Sequence, residues 1–295
     1  MTALAALPAR QLLAGPASSR LVLLGTGGGP SPKPDRFPSA YALQTDRGIY
    51  LIDCGNGVAR QVIRAGLDIN SIRQVFLTHH HPDHNADVGT LLLLGWATNP
   101  GLPVTVWGPP PLKKMMRAFR RFQAFDMETG TADEGRSSFD DCLKVEEFAG
   151  EGLLFDDGVF RVTRVQNAHP PFLHSYALRF DGDRSYVFSG DTTCSEAVVA
   201  LAKDADVLVH EVMHLDAIEP LIATEPDATR LRRHLLASHS TPEQVGRVAT
   251  RANVKTLVLS HFVPGGHEVT QAQWLDAVCP HFGGEILVGA DLLTV

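Results

Sequence analysis

A short apolar run followed by ligand-type side chains is the stretch of this chain that decides its fold: Val75-Phe76-Leu77-Thr78-His79-His80-His81-Pro82-Asp83-His84. The apolar part predicts a buried β-strand, and the polar part predicts a loop leaving the end of that strand. In such a loop His79 and His81 can converge on one metal ion. Asp83 and His84 then turn towards a second. Neutral imidazole and carboxylate suit Zn²⁺ and, less selectively, Mn²⁺ or Fe²⁺, so the sequence predicts a site for two divalent metal ions.

Three more ligand-type residues follow hydrophobic, strand-like runs further along the chain. His169 follows residues 160–168, and His261 follows residues 256–260. Asp191 lies in a Ser-Gly-Asp-Thr sequence, where the glycine lets the backbone approach a metal closely. Taken singly, each is more often a packing or capping residue than a ligand. Together with the histidine-rich loop they favour one shared site, because the ends of different strands can meet.

Strand-like and helix-like segments alternate along the chain, and some strands come in hairpins. Strands are predicted at 20–25, 41–45, 48–54, 74–78, 104–107, within 145–189, and at 206–212 and 255–260. Helices are predicted at 58–65, 85–97, 112–125, 195–202 and 241–252. This order predicts an α/β fold in which two mixed sheets pack together with helices outside. Residues 1–19 are expected to form a flexible extension, and residues 20–295 a single domain.

Composition limits the function classes. The 295 residues are 44% hydrophobic and 20% charged, and the formal net charge is -7, which argues against general affinity for nucleic acid. The longest apolar run, 91–97, is too short to span a membrane. Four cysteines lie far apart without a CxxC pair and are expected to be reduced thiols: Cys54, Cys142, Cys194 and Cys279. With no secretory leader recognisable in residues 1–19, we expect a cytoplasmic protein.

With these residues in place, the chain resembles the metallo-β-lactamase superfamily over nearly its whole length. The resemblance implies an αββα sandwich with a dinuclear metal centre at one edge of the sheets. It implies that His79, His81 and His169 hold the first ion, that Asp83, His84 and His261 hold the second, and that Asp191 bridges them. One departure is Pro82, which stands where the family often has glycine or alanine and should stiffen the loop.

The same ligand set separates this chain from some branches of the superfamily. Di-iron members that reduce oxygen have glutamate where His81 stands, which makes a redox role unexpected. True β-lactamases of the superfamily lack a bridging carboxylate, so Asp191 argues against antibiotic hydrolysis. Glyoxalase II enzymes and many lactonases keep that aspartate, and the ligands alone do not dismiss them.

Finer patterns resemble the tRNase Z and arylsulfatase-like branch: Leu23-Leu-Gly-Thr-Gly27, Ser189-Gly-Asp-Thr192, Val209-His-Glu211 and Ser238-His-Ser-Thr241. By that resemblance His239 donates a proton to the leaving group, and Glu211 orients it. The alternative is that His239 only begins a helix and that Glu211 is a surface charge at a strand end. Asp53 resembles a conserved aspartate that orients the metal loop.

Two features of the sequence argue against a nucleic-acid substrate. The branch grips tRNA with a long arm inserted between the third histidine and the bridging aspartate, and the interval from His169 to Asp191 is short. The helix predicted at 112–125 carries a basic cluster of Lys113, Lys114, Arg117, Arg120 and Arg121. This cluster could contact RNA, but it is equally well explained as the solvent-exposed side of an amphipathic helix. The insertion at about 109–142 could instead cap the metals with Phe125 and Met127, giving a pocket for a small substrate.

The sequence thus predicts a metal-dependent hydrolase of a small ester, with phosphodiester or arylsulfate bonds first. Asp83 would accept the proton of the attacking water, and His239 would protonate the leaving oxygen. A carboxylic ester, lactone or amide hydrolase is the alternative, and a tRNA 3′-processing endoribonuclease is the second alternative. By resemblance to the branch, a homodimer is expected.

Overall fold

The computed structural model describes residues 19–98, 103–266 and 268–295. The predicted extension at 1–19 lies outside these residues except for Ser19. The described chain forms two β-sheets. The first contains, in spatial order, β1 (Arg20–Gly25), β2 (Ala40–Thr45), β3 (Gly48–Ile52), β4 (Ile72–Phe76), β5 (Val104–Gly108) and β6 (Leu143–Glu147). Its first three strands are antiparallel, and β3 to β6 are parallel.

The second sheet begins with an antiparallel meander and ends with parallel strands. Its strands, in chain order and in spatial order, are β7 (Gly152–Asp156), β8 (Arg161–Gln166), β9 (Tyr176–Asp181), β10 (Ser185–Phe188), β11 (Val207–Met213), β12 (Thr256–Val263) and β13 (Glu285–Val288). Strands β10 to β13 are parallel. Both sheets are therefore mixed, as predicted.

Helices cover the outer faces of the two sheets. They are α1 (Val58–Arg64), α2 (Pro82–Asn85), α3 (Val88–Thr98), α4 (Leu112–Phe122), α5 (Ala124–Glu134), α6 (Glu196–Leu201), α7 (Leu215–Ile222), α8 (Ala228–Ser238), α9 (Pro242–Ala252) and α10 (Gln271–Val278), with short 3₁₀ turns at Ile69–Ser71, Phe139–Cys142 and Cys279–His281. Among the described residues, no helix is long and apolar enough to cross a membrane.

The strands are apolar on both faces because each sheet lies between a second sheet and a layer of helices. In β1, Leu21 and Leu23 pack into the core between the sheets, whereas Val22 and Leu24 pack into the core beneath the helices. Aromatic rings fill the space between the sheets, with Phe76 edge-on to Phe180 at a ring separation of 5.2 Å. The αββα sandwich is confirmed.

Several predicted helices have different bounds. The helix predicted at 85–97 corresponds to α3, which begins at Val88 after the separate short helix α2, and the one predicted at 112–125 ends at Phe122, before α5 begins at Ala124. The strand predicted to reach residue 54 ends at Ile52, because Asp53 has a positive φ of 59°. Helices α7 and α8, between β11 and α9, were not predicted at all.

The insertion at 109–142 extends the helical layer outside the first sheet. Met127 of α5 and Phe139 of the following 3₁₀ turn are buried in the same apolar core as Trp96 of α3. They do not face the ligand-type residues. Phe125 is 84% exposed. Only the first residues of the insertion, Pro110 and Pro111, line the cleft next to the histidine-rich loop.

Candidate metal centre

Four side chains from three loops meet in a first group that could hold a metal ion: His79, His81, His169 and Asp191. His81 Nδ1 lies 3.0 Å from His79 Nε2 and 3.1 Å from His169 Nε2. Tetrahedral zinc, with bonds to nitrogen of about 2.0–2.1 Å, holds its ligand atoms about 3.3 Å apart. His81 Nδ1 therefore lies at about the spacing from both other nitrogens that one bound ion requires.

A second group adjoins the first and shares one residue with it: Asp83, His84, His261 and again Asp191. Asp191 Oδ1 lies 3.1 Å from His84 Nε2 and 3.2 Å from His261 Nε2. Both Asp191 Oδ1 and His84 Nε2 are buried, and among the described residues neither has a hydrogen-bond partner. Two such atoms, close together yet not bonded to each other, are oriented as if towards a common third atom. The donor set fits a divalent cation at this point.

The nitrogens that face away from the two groups are held by neighbouring oxygens. His84 Nδ1 lies 2.7 Å from Asp53 Oδ2, and His169 Nδ1 lies 3.0 Å from the Ser238 carbonyl oxygen. Asp53 also accepts the backbone N–H of Thr78 at 2.8 Å. Contacts of this kind fix the orientation of a metal-binding ring. Asp53 thus contacts the loop from behind, as the resemblance implied.

Burial and charge set the protonation of the cluster. Burial lowers the pKa of His79 and His169, and it lowers the pKa of His81 to about 4, so these imidazoles are neutral and offer lone pairs. Burial alone would raise the pKa of Asp83, but His84 and His261 lower it to about 2. Burial alone would lower the pKa of His84, but the carboxylates around that imidazole instead raise it, so a cation bound there would displace its proton.

His261 reaches the site through a distortion of β12. The strand continues past it to Val263, and the pairing with β11 shifts register, because Glu211 pairs with Ser260 while Val212 pairs with Phe262. His261 is thus the extra residue of a bulge, and it has a φ of 43°, a conformation that non-glycine residues rarely adopt. This bulge was not predicted from the sequence.

The glycine-rich turn after β1 lies against the second group. A Cβ atom on Gly28 would stand 2.8 Å from both Cε1 and Nδ1 of His261, so only glycine fits there without displacing that ring. The backbone N–H of Gly29 donates to Asp83 Oδ2 at 2.8 Å. This contact between the glycines and the site was not predicted from the sequence.

Glu211 and His239 form a buried pair beside the two groups. Glu211 is 2% exposed and His239 is 7% exposed, which excludes a surface charge at the strand end. Glu211 Oε1 accepts the N–H groups of Thr192 and Ser240, each at 3.1 Å, and lies 3.3 Å from His239 Nδ1. Burial alone would lower the pKa of His239, but Glu211 raises it to about 9. The imidazole can therefore carry a proton near neutral pH.

The loop after His169 supplies an aromatic contact that the sequence did not indicate. The ring of Phe172 lies 4.3 Å from that of His81 and 5.8 Å from that of His169. Phe172 also lines an open cleft of about 320 Å³ next to the histidine-rich loop, together with His80, Pro110, Pro111, Pro171, Leu173 and His174. Phe172 therefore contacts the first group and also lines this cleft.

Comparison with known proteins agrees with the geometry. The profile of the beta-lactamase superfamily domain matches residues 49–262. The chain belongs to the metallo-β-lactamase superfamily. Ribonuclease Z of Mycobacterium bovis (strain BCG / Pasteur 1173P2) is 30% identical to it over 276 residues, which span 92% of this chain and 96% of that protein. Ribonuclease Z of Mycobacterium marinum (strain ATCC BAA-535 / M) is 31% identical over 277 residues, with the same coverage of 92% and 96%.

Solved structures show the same fold. The metallo-β-lactamase fold protein YhfI from Bacillus subtilis superposes with a TM-score of 0.69 at 20% identity, over 94% of this chain and 99% of that one. The short form of human tRNase Z superposes with a TM-score of 0.68 at 23% identity, over 94% and 98%. The chain is a hydrolase of this superfamily, in its tRNase Z-like branch.

The prediction of a small-molecule substrate, with nucleic acid unlikely, was wrong. The connection between β9 and β10 is indeed a tight hairpin in which Asp181 pairs with Ser185. Yet proteins named Ribonuclease Z align with this chain over 96% of their own length. The lack of a long arm at this place therefore does not separate this chain from proteins of that name. The net charge was also a poor guide to the substrate, because it averages over the whole surface and hides local clusters of positive charge.

Proposed function

We propose that this chain is a metal-dependent endoribonuclease that hydrolyses a phosphodiester bond near the 3′ end of an RNA, with tRNA precursors the first candidate. One observation carries the proposal: two metal-binding groups share Asp191, and the buried pair of Glu211 and His239 lies directly beside them. The relatives named Ribonuclease Z support RNA as the substrate over the other esters of the branch.

In the proposed centre each ion would be held by three side chains besides the shared aspartate. His79, His81 and His169 would hold the first ion, and Asp83, His84 and His261 would hold the second. Zinc is the first candidate, because imidazole and carboxylate ligands at close to tetrahedral spacing suit it. When bound, such ions supply hydroxide near neutral pH and stabilise negative charge on a phosphoryl group.

The side chains of this protein handle the protons of the reaction. Asp83, which is 5% exposed and held by the Gly29 N–H, accepts the proton of the attacking water. His239 donates Nδ1–H to Glu211, which leaves Nε2 to carry the proton given to the leaving oxygen. Glu211 is itself fixed by two backbone N–H groups, so the imidazole keeps one orientation.

The proposal is tested on the full chain loaded with Zn²⁺ or Mn²⁺. A tRNA precursor with a 3′ trailer should be cut at one position, and EDTA should abolish the cut. Bis-p-nitrophenyl phosphate serves as a probe of the phosphodiesterase centre, and His79→Ala controls for contaminating nucleases. Turnover of p-nitrophenyl sulfate or of a lactone, with intact RNA, would overturn the proposal.

A further inference from the structure

Helix α4 carries an unusual concentration of positive charge. Its eleven residues, Leu112–Phe122, include five of the 26 lysines and arginines of the chain and no acidic residue. The remaining surface carries the negative balance of a chain whose net charge is -7. Arg120 and Arg121 lie in the last turn, where cations are favoured by the helix dipole, but the dipole does not explain the three that precede them.

Most of this charge is available to a ligand. Lys113 pairs with Glu146, and Arg120 pairs with Asp140. Among the described residues, Lys114, Arg117 and Arg121 make no ion pair, and all three are exposed. Their spacing of three and four residues aligns them along one side of the helix. The opposite side is the buried one, where Leu112 and Met116 join the core.

Exposed aromatic rings follow directly at the end of the helix. Phe122 is 80% exposed and Phe125 is 84% exposed, the two most exposed large apolar side chains among the described residues. Arg117 and Arg121 also line an open groove of about 620 Å³ between α4 and α5. Cations that follow a backbone, interleaved with rings on which bases can stack, are the elements of a single-stranded nucleic-acid surface.

The beginning of the same helix lies next to the histidine-rich loop. Pro111 directly precedes α4, and it lines the same cleft as His80 and Phe172. The neighbouring His80 lies between two of the ligand-type histidines and contacts the Pro109 carbonyl oxygen at 2.7 Å. An RNA strand that leaves the centre through this cleft would meet Lys113 and Lys114 next, and Arg121 and Phe122 after about 16 Å of helix.

From these observations we propose that the outer side of α4 together with the first turn of α5, comprising Lys114, Arg117, Arg121, Phe122 and Phe125, is a docking surface for a single-stranded segment of the RNA substrate. The proposal rests on the function proposed above. A second copy of this chain, docked through the same surface, is the less suitable occupant, because the two α4 helices would bring six unpaired cations together. A chain of phosphates matches both the charge and the length of the helix.

The test compares two triple variants that remove the same charge. Lys114→Ala, Arg117→Ala and Arg121→Ala are combined in one protein. Arg47→Ala, Arg60→Ala and Lys203→Ala, which are exposed positions on other elements, are combined in the control. Binding of a fluorescein-labelled single-stranded RNA is measured by anisotropy over a series of salt concentrations. KM and kcat are measured for a tRNA precursor and for bis-p-nitrophenyl phosphate.

The α4 triple variant should weaken RNA binding by about tenfold or more at low salt and reduce the slope of log affinity against log salt by about 2, since each lost phosphate contact on a single strand accounts for about 0.7. Its hydrolysis of bis-p-nitrophenyl phosphate should be unchanged. Phe122→Ala with Phe125→Ala should weaken binding without changing the salt slope, because stacking releases no counterions.

Three results would contradict the proposed docking surface. The control triple variant could lose as much RNA affinity as the α4 triple variant, or the α4 triple variant could lose activity equally on both substrates. In the third, sedimentation would show that the α4 substitutions dissociate a dimer of this chain while RNA binding persists. Failure of the proposed function looks different. If no RNA is cut, the binding series still decides whether α4 contacts RNA, because it does not depend on turnover.

Discussion

Asp191 faces two sets of histidines with its two carboxylate oxygens: Oδ1 lies 3.1 Å from His84 Nε2, and Oδ2 lies 3.7 Å from His79 Nε2. The side chain is buried, and the positive φ of 57° at Gly190 brings its backbone in beneath Thr78. Asp191 thereby lies in both groups of ligand-type side chains, which come from the loops after β4 and β8 and from β12.

Asp191→Asn should disconnect the two groups. An amide keeps the shape but loses the charge and offers one oxygen in place of two, so it can serve at most one ion. We expect metal content to fall from about two ions per chain to one or fewer, and phosphodiesterase activity to be lost. Elemental analysis after dialysis checks this. Retention of two ions at full occupancy would contradict a bridging role.

Asp53→Ala tests the support behind the second group. Without the carboxylate, His84 Nδ1 loses its partner at 2.7 Å and the ring is free to rotate. We expect a loss of about 10–100-fold in affinity for the second ion, measured by competition with a chromogenic chelator. Asp46→Ala, in the exposed turn after β2, is the matched control and should leave the affinity unchanged.

Gly28→Ala should displace His261. The added methyl group would meet the imidazole at 2.8 Å, and the ring cannot withdraw without leaving the site. We expect loss of the second ion with little change in the first. Gly95→Ala is the control, since its Cβ would meet nothing within 4 Å, and the change should stabilise α3 by about 0.5–1 kcal/mol. Equal metal content in the two variants would refute the steric argument.

His239→Ala should slow only those substrates whose leaving group needs a proton. For RNA, where an alkoxide departs, we expect kcat to fall by about 10²–10⁴-fold. For bis-p-nitrophenyl phosphate, whose nitrophenolate leaves unaided, the loss should be small. Similar losses on both substrates would mean that His239 acts by holding the site together and not by donating a proton.

The protonation of His239 also predicts a pH profile. Its pKa is raised by Glu211, so the acid form is populated below that value and is lost as the pH rises through it. RNA cleavage should therefore decline on the alkaline side, and Glu211→Gln should move the decline to lower pH. The alkaline decline should be absent for His239→Ala. A Glu211→Gln profile superimposable on that of the wild type would contradict the pairing.

Much of the fold and of the centre followed from local sequence signals. The loop from His79 to His84 was recognisable because its closely spaced ligand-type residues directly follow a buried strand. His169 and Asp191 were recognisable because apolar runs precede them. The alternation of strands and helices then gave the two sheets. These features depend on residues that are neighbours in sequence, where pattern and chemistry coincide.

The features that sequence missed depend on tertiary contacts. The bulge at His261 arises from its pairing with β11, and Gly28 is required only because that ring lies against it. Helices α7 and α8 went unpredicted because their apolar residues form only a small separate cluster with Met213 and Val263. The choice of substrate was misjudged because an average charge was used where the distribution along α4 mattered.

The last turn of α8 links two parts of the site through a single peptide. The Ser238 carbonyl oxygen contacts His169 Nδ1, and the very next residue is His239. A tilt of α8 would therefore move the rings of His169 and His239 together. In the proposed centre, this one peptide would couple the position of the proton donor to that of a metal ligand.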